Sequence, residues 1–335
     1  MMMGIIEISV VIPVYNLENY IGRCLNSVLS QSLKEIEVIV INDGSTDDSE
    51  KIIKKYAECD VRIKYIKQKN GGVSAARNRG IEEARGKYLT FIDGDDYILN
   101  NMLEKMYHLA ESENLNFVVC LHGRERRDCI QNNNLMFTIN FLEYLDRILE
   151  GDLPRSACGI LFNMEKLRRH STTFYKDMKY GEDMLFSINT VIRSKGKLGV
   201  IPFEYYLVEE REGSAIRFMN IDQYNRIELL ANRLKEIFYK EEIFENYKEK
   251  LDKYFLDDFF LSIHHVINSS ETKSKKKKVL NEIKQKKHTE YILSGGRKIS
   301  KKDRLKLLII KRVPLNIVLK IYELNNKKKR IKLNE

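Results

Sequence analysis

The sequence predicts an α/β protein: a mostly parallel, Rossmann-like sheet with flanking helices, followed by a helical C-terminal extension. Three observations carry this. Ile8–Val14 and Ile36–Ile41 are continuous, largely β-branched apolar runs, as expected of strands buried on both faces. Around them, apolar residues recur at three- and four-residue spacings, so strand and helix alternate along the chain. Two runs, Ile36–Ile41 and Tyr88–Ile92, stop abruptly in acidic, glycine-containing turns. Sheets of this kind place their ligands at the carboxyl ends of the strands.

The elements follow in order. Ile8–Val14 is the first strand, ended by Pro13 and Tyr15-Asn16, and Asn16 is positioned to cap a helix with apolar positions Leu17, Ile21, Leu25, Val28 and Leu29. Ile36–Ile41 is the second strand and stops at Asn42-Asp43-Gly44-Ser45. Thr46–Tyr56 is a helix with acidic residues in its first turn, as the helix dipole favours. The alternation of Val61–Ile66 makes a third strand, Asn70-Gly71-Gly72 a turn, and Val73–Arg85 a helix leading into the strand Tyr88–Ile92. A helix over Leu99–Glu113 and a strand over Leu115–Leu121 come next. Arg124–Asn134 is polar enough for a surface loop, Thr138–Glu150 is helical, and Arg155–Arg169 carries no clear period. The pair Glu182-Asp183 opens a helix running to Ser194, then Leu198–Val208 is a strand and Arg211–Ser214 a turn. Ile221–Ile267 has helical periods with an aromatic-rich apolar face, Lys273–Lys287 is a basic helix or linker, and there is no internal repeat. The organisation expected is a catalytic domain over 1–218, a helical extension over 219–296 and a basic amphipathic tail over 297–335.

Composition bounds the partners. The chain has 335 residues, 43% of them hydrophobic, enough for a large buried core. Its net charge of +10 is uneven: residues 297–335 hold 14 Lys/Arg against 3 Asp/Glu, so the remainder is near neutral. The five cysteines are scattered without metal-ligand spacing, which suits small apolar packing groups in a reducing compartment. The N-terminal MMMGIIEISVV lacks the basic region of a signal peptide, and no stretch is apolar enough to span a bilayer.

The chemistry gathers at Asp93-Gly94-Asp95-Asp96. Three carboxylates within four residues repel one another, and a cation relieves them. Hard divalent ions favour such oxygens and keep positions open for phosphate. The turn therefore reads as a metal-assisted site for a phosphorylated substrate; the bland alternative is an acidic turn capping the next helix. Asp43 closes a separate strand in the same way.

The segments VVIPVYNLENYIGRCLNSVLSQS, EVIVINDGSTDDS, NGGVSAARNRGIEEARGKYLTFIDGDD and YGEDMLF, in this order, resemble the family 2 glycosyltransferases: inverting, nucleotide-sugar-dependent enzymes of the GT-A fold. The resemblance spans residues 7–215 and does not reach the tail. It implies that Asp93 and Asp95 meet the donor's ribose and diphosphate through Mn²⁺ or Mg²⁺, with Asp95 the direct ligand and Asp96 able to share the task. Asp43 would accept the N3–H of a uracil-type base, with helix capping as its alternative. Pro13 and Tyr15 would form the wall on which the base stacks, and Asn70, Arg77 and Gly94 would lie against the donor. Asp183 resembles the catalytic base, which takes a proton from the acceptor hydroxyl as it attacks the anomeric carbon. Arg211 and Ser214 resemble a loop closing over the diphosphate. Where many relatives carry an aromatic and a lysine before the base, this chain has Ala157-Cys158-Gly159-Ile160-Leu161-Phe162, so acceptor identity does not carry over.

The resemblance implies transfer from a nucleotide-sugar, a UDP-sugar, to a lipid-linked saccharide in surface polysaccharide (capsule) synthesis. In the basic tail, Leu305, Leu308, Ile309, Val313, Ile317, Leu319 and Ile321 are threaded among cations, which suits an anionic membrane surface better than nucleic acid. The location that follows is cytoplasmic, peripheral on the inner face of the cell membrane. Two other classes compete. A sugar nucleotidyltransferase would want a basic, glycine-rich loop where VIPVYNLENY stands, and a non-catalytic nucleotide-sugar-binding protein would not need Asp93, Asp95 and Asp183 together.

Overall fold

The structure is a computed structural model that describes residues 5–123, 135–209, 221–268 and 272–285. The chain divides into two compact units, Met1–Glu212 and Gly213–Glu335.

The first unit is built on one sheet. Its heart is β3 (Ile63–Lys67), β2 (Ile36–Asn42), β1 (Ile8–Val14) and β4 (Tyr88–Phe91), side by side in that order and all parallel. Every residue of β1, β2 and β4 is buried, which is why these strands read as unbroken apolar runs. Beyond β4 the sheet continues through antiparallel β8 (Ile160–Asn163) to β6 (Phe117–Gly123) and β9 (Leu198–Leu207), with β5 (Tyr97–Ile98) and β7 (Phe137–Ile139) antiparallel to β9. β1 to β4, β6 and β9 thus run one way and β5, β7 and β8 the other, so the sheet is mostly parallel.

Helices α1 (Ile21–Leu29), α2 (Ser49–Cys59), α3 (Val73–Glu83) and α4 (Met102–Ser112) connect the first strands. α3 lies close on β1 because Gly80 has no side chain: a Cβ there would fall 2.2 Å from Val11 Cγ1. α5 (Phe141–Glu150), α6 (Met164–His170) and α7 (Glu182–Ser194) complete the unit. An aromatic cluster ties α7 to β4. Phe186 of α7 stacks on Phe174 at 4.0 Å between centroids, and both meet Phe91 of β4 edge-on, at 5.7 and 5.2 Å. Phe91 lies two residues before Asp93 and Phe186 three after Asp183, so this packing brings two distant acidic turns to one end of the sheet.

Several boundaries differ from the sequence reading. Asn16 does not cap a helix: α1 begins at Ile21, and the Asn16 side chain accepts the Thr46 N–H instead, at 2.8 Å. α2 starts at Ser49 rather than Thr46, and α4 at Met102 rather than Leu99, because Tyr97–Ile98 pair with β9 first. Thr138 belongs to a strand; the helix starts after Asn140, whose carbonyl oxygen Oδ1 accepts the N–H groups of Leu142 and Glu143. The aperiodic stretch at 155–169 contains β8 and α6, a four-residue strand and a seven-residue helix, each too short to show a period. The expected loop over 124–134 and the turn over 211–214 lie outside the described residues, as does the tail.

The second unit holds α8 (Ile221–Lys240), α9 (Phe244–Asn268) and α10 (Lys273–Lys284). Leu234, Phe238, Leu251, Phe255, Leu280 and Ile283 are buried among its described residues. Among those residues no helix is long and apolar enough to cross a membrane.

Candidate active site

The carboxyl ends of β1, β2 and β4 lie side by side, and each hands its chain to a polar turn. The turns after β1 and β2 clasp each other. The Asn16 N–H donates to Ser45 Oγ at 3.1 Å, the Leu17 N–H to Ser49 Oγ at 2.8 Å, and the Glu18 N–H to Asp47 Oδ2 at 3.0 Å. Tyr15 stands out from this clasp, 48% exposed. Pro13 is buried within β1, so of the two residues expected to wall a base only Tyr15 offers an open ring.

Asp43 caps no helix. Its Oδ1 accepts from Gln68 Nε2 at 2.8 Å and the Gly71 N–H at 2.9 Å, and its Oδ2 accepts the Gly72 N–H at 2.8 Å. A carboxylate offers about four acceptor positions, so about one remains. Gly44, with φ +77°, passes so close to exposed Asn70 that a Cβ would lie 3.0 Å from the Asn70 nitrogen.

The acidic turn after β4 is closed by the Asp96 N–H donating to the Asp93 carbonyl at 2.9 Å. Gly94 is needed for close approach: a Cβ would lie 2.8 Å from Leu17 Cδ1 and 3.1 Å from the Pro13 carbonyl. Asp93 and Asp95 are half-buried, whereas Asp96 is buried. Tyr206 donates its hydroxyl proton to Asp96 Oδ2 at 2.7 Å, and the Glu209 N–H donates to Asp96 Oδ1 at 2.9 Å. Each oxygen of Asp96, the residue expected to be able to share the metal, thus accepts one hydrogen bond from the protein. Burial first, then the charge of Asp93, pushes its carboxyl up to about 7, against the pull of those two donors.

Arg77 joins the pieces. It is 2% exposed, rising from α3 with Phe174 beneath its guanidinium at 5.3 Å. Nη2 binds Asp93 Oδ1 at 2.7 Å, Nη1 binds Asp183 Oδ1, and Glu182 Oε1 lies 3.5 Å from Nη1. Thus Asp93 and Asp183, 90 positions apart in the chain, meet on one guanidinium. Gly181, with φ +71°, starts α7 in a backbone conformation that favours glycine and sets both acids in its first turn. Burial pushes the Asp183 carboxyl above the ordinary carboxylate range. Arg77 pulls it back, but Glu182 and Asp93 push it up again, because one cation faces three acids. Ser156 Oγ stands 3.5 Å from Asp183 Oδ2, and Cys158 Sγ lies against Arg77 at 4.0 Å.

Among the described residues no cluster of three or more His, Cys, Asp or Glu is assembled to hold a metal. The donor set still fits a small hard cation. Asp93 and Asp95 supply carboxylate oxygens at the half-exposed side of the turn, and Mg²⁺-like ions commonly take one or two carboxylates and complete their shell with substrate phosphates and water. His122 meets the Cys158 carbonyl through Nε2 at 2.9 Å and stacks on Tyr206. Tyr206, Arg23 and Ser156 carry no sequence signal for the site; they reach it through strand pairing and loop packing alone. Arg211 and Ser214 lie outside the described residues.

The fold is that of the GT-A class. A crystal structure of S. aureus TarS 1-349 with UDP-GlcNAc superposes with a TM-score of 0.56 at 20% identity, over 91% of this chain and 79% of that one. The mannosyltransferase PcManGT of Pyrobaculum calidifontis, in complex with GDP-Man and Mn²⁺, gives 0.54 at 14% identity, over 96% and 88%. Residues 9–170, a little under half of the chain, match the family model described as Glycosyl transferase family 2, so this segment is a domain of that family. A similar protein is the uncharacterized glycosyltransferase EpsJ of Bacillus subtilis (strain 168), 32% identical over 214 residues, 62% of each chain. The match therefore spans less than two thirds of that relative's length.

Proposed function

We propose that this chain is an inverting, metal-assisted glycosyltransferase. It moves a sugar from a UDP-sugar to a hydroxyl of a saccharide acceptor, lipid-linked, in surface polysaccharide synthesis. The observation that carries this reading is the shared guanidinium: a carboxylate suited to phosphate and metal, Asp93, and a second acid of raised pKa, Asp183, stand on opposite nitrogens of Arg77. Inversion needs that pair of functions in one cleft, an acceptor-side base and a leaving-group side that bears negative charge.

In this reading Asp183 takes the acceptor proton, and its raised pKa makes it a better base than an ordinary carboxylate. Asp93 and Asp95 hold Mn²⁺ or Mg²⁺, which when bound offsets charge on the departing diphosphate. Tyr15 stacks on the base and Asp43 accepts its N3–H in the remaining acceptor position. Asn70, beside Gly44, and Gly94, which brings the turn against β1, line the donor. The UDP-GlcNAc held by TarS supports a uridine donor, and the GDP-Man held by PcManGT makes the fold compatible with another base. The basic tail supports the inner face of an anionic membrane as the place of work, with no nucleic acid involved.

The test is nucleoside diphosphate release from UDP-sugars with Mn²⁺. Asp183→Asn is expected to lower the rate by about 10²–10⁴, the usual contribution of a general base, while UDP affinity stays within about twofold. A variant as fast as the natural chain removes Asp183 from the chemistry. UDP-sugar binding without any transfer by the natural chain favours the non-catalytic reading.

A further inference from the structure

One hydroxyl ties both ends of the acidic turn. Tyr206 donates to the side chain of Asp96, the last acid, at 2.7 Å, and accepts the backbone N–H of Asp93, the first, at 3.0 Å. The ring cannot drift: it is 1% exposed and lies on the His122 imidazole, 4.6 Å between centroids. The middle of the turn is gripped from α1. Arg23 Nη2 donates to the Asp95 carbonyl at 3.2 Å and pairs with Glu209 at 2.8 Å, and the guanidinium lies over Tyr97 at 4.3 Å. Glu209 closes the circuit through its own N–H to Asp96 Oδ1.

We propose that Tyr206, Asp96 and Arg23 are positioning residues that brace the backbone of the Asp93–Asp96 turn, so that Asp93 and Asp95 present their carboxylates at a fixed spacing to a divalent cation and the donor diphosphate. The inference rests on the reading of this turn as a metal site and adds the residues that shape it. Asp96 is then an anchor and not a ligand. Its buried carboxyl is directed into the protein, where Tyr206 and Glu209 hold it. The brace answers two physical demands. Adjacent acids repel and would splay an unsupported turn. Small hard cations require near-ideal ligand geometry, which a loosely held loop does not supply.

The experiment uses the full chain. Mn²⁺ binding in the presence of UDP is measured by the paramagnetic resonance signal of free Mn²⁺, beside UDP binding in EDTA and thermal unfolding. Tyr206→Phe keeps the ring and its stack but removes the hydroxyl. Its Mn²⁺ affinity is expected to fall by about 10-fold or more, as for other outer-sphere partners of metal ligands, with metal-free UDP affinity within about twofold of the natural chain. Asp96→Asn keeps one acceptor oxygen for Tyr206 but sets its NH2 against the Glu209 N–H, so its Mn²⁺ affinity is expected to fall by clearly less than that of Asp95→Asn, which loses about 100-fold. Unchanged Mn²⁺ affinity in Tyr206→Phe overturns the brace, whatever happens to its melting temperature. So does an Asp96→Asn variant as impaired as Asp95→Asn, since Asp96 would then be a ligand. If Tyr206→Phe does not fold, the half-exposed Arg23 decides the matter: Arg23→Ala weakens Mn²⁺ binding if the brace holds and leaves it unchanged if it does not. A natural chain that binds neither Mn²⁺ nor UDP overturns the functional reading, and this inference with it, before any variant is compared.

Discussion

Replacing Arg77 by alanine is the sharpest probe of the site. The guanidinium is the cation that the structure sets among Asp93, Asp183 and Glu182, and it is 2% exposed. Truncation leaves these acids facing one another with their counter-charge gone. Removing one partner of a buried ion pair costs about 3–5 kcal/mol, and the lost packing on Phe174 acts in the same direction. For a unit of this size each kcal/mol lowers the melting temperature by about 2–4 °C, so a fall of about 6–20 °C is expected at neutral pH. The sign of the pH dependence follows from linkage. Asp183 already has a raised pKa in the folded chain, and without Arg77 it rises further above its value of about 3.9 in the unfolded chain. Between those two values the folded state binds more protons than the unfolded state, so stability falls as pH rises. The deficit of Arg77→Ala should therefore be larger at pH 7.5 than at pH 5. The assay is thermal unfolding of both proteins at the two pH values, followed by circular dichroism. A loss below about 1 kcal/mol at pH 7.5 would refute the reasoning, because it would fall outside the range for a broken buried pair. A deficit that shrinks as pH rises would refute it as well. Adding Asp183→Asn to Arg77→Ala should recover about 1 kcal/mol or more, since neighbours in one charge network are not additive.

Three further outcomes are expected. Chelation with EDTA should abolish nucleoside diphosphate release, with Mn²⁺ or Mg²⁺ restoring it; undiminished release in EDTA would show that the acidic turn works without a cation. Gly80→Ala should destabilise the first unit by about 1–3 kcal/mol in urea unfolding, because its Cβ would overlap Val11 in the core; a neutral result would mean that α3 can shift away from β1 at no cost. Deleting residues 298–335 should end sedimentation with anionic lipid vesicles, and unchanged binding would move the membrane contact elsewhere.

The parallel half of the sheet was legible in the sequence because burial on both faces forces continuous apolar runs. Ile8–Val14 and Leu198–Val208 match β1 and β9 closely, and the Glu182-Asp183 pair marks the start of α7. β5 and β8 were not legible. β5 has two residues and β8 four, and their pairing with β9, β4 and β6 involves partners far away in the chain. Asn16 illustrates a second limit. Its composition suits a helix cap, but the Thr46 N–H across the clasp competes for the same oxygen and takes it.

The sequence by itself determined the alternation of strands and helices, the acidic turns at the strand ends and the residue types of the chemistry, because these follow from local periodicity and from carboxylates crowded within a few positions. Which acids face one another was decided only by tertiary structure. The Phe91–Phe174–Phe186 packing draws α7 to the end of β4, and Arg77 then holds Asp93 and Asp183 together. The different surroundings of Asp95 and Asp96 were likewise set by contact. Neighbouring carboxylates of identical chemistry differ because one side chain is directed inward to a tyrosine hydroxyl and a backbone N–H, and no linear pattern encodes that direction.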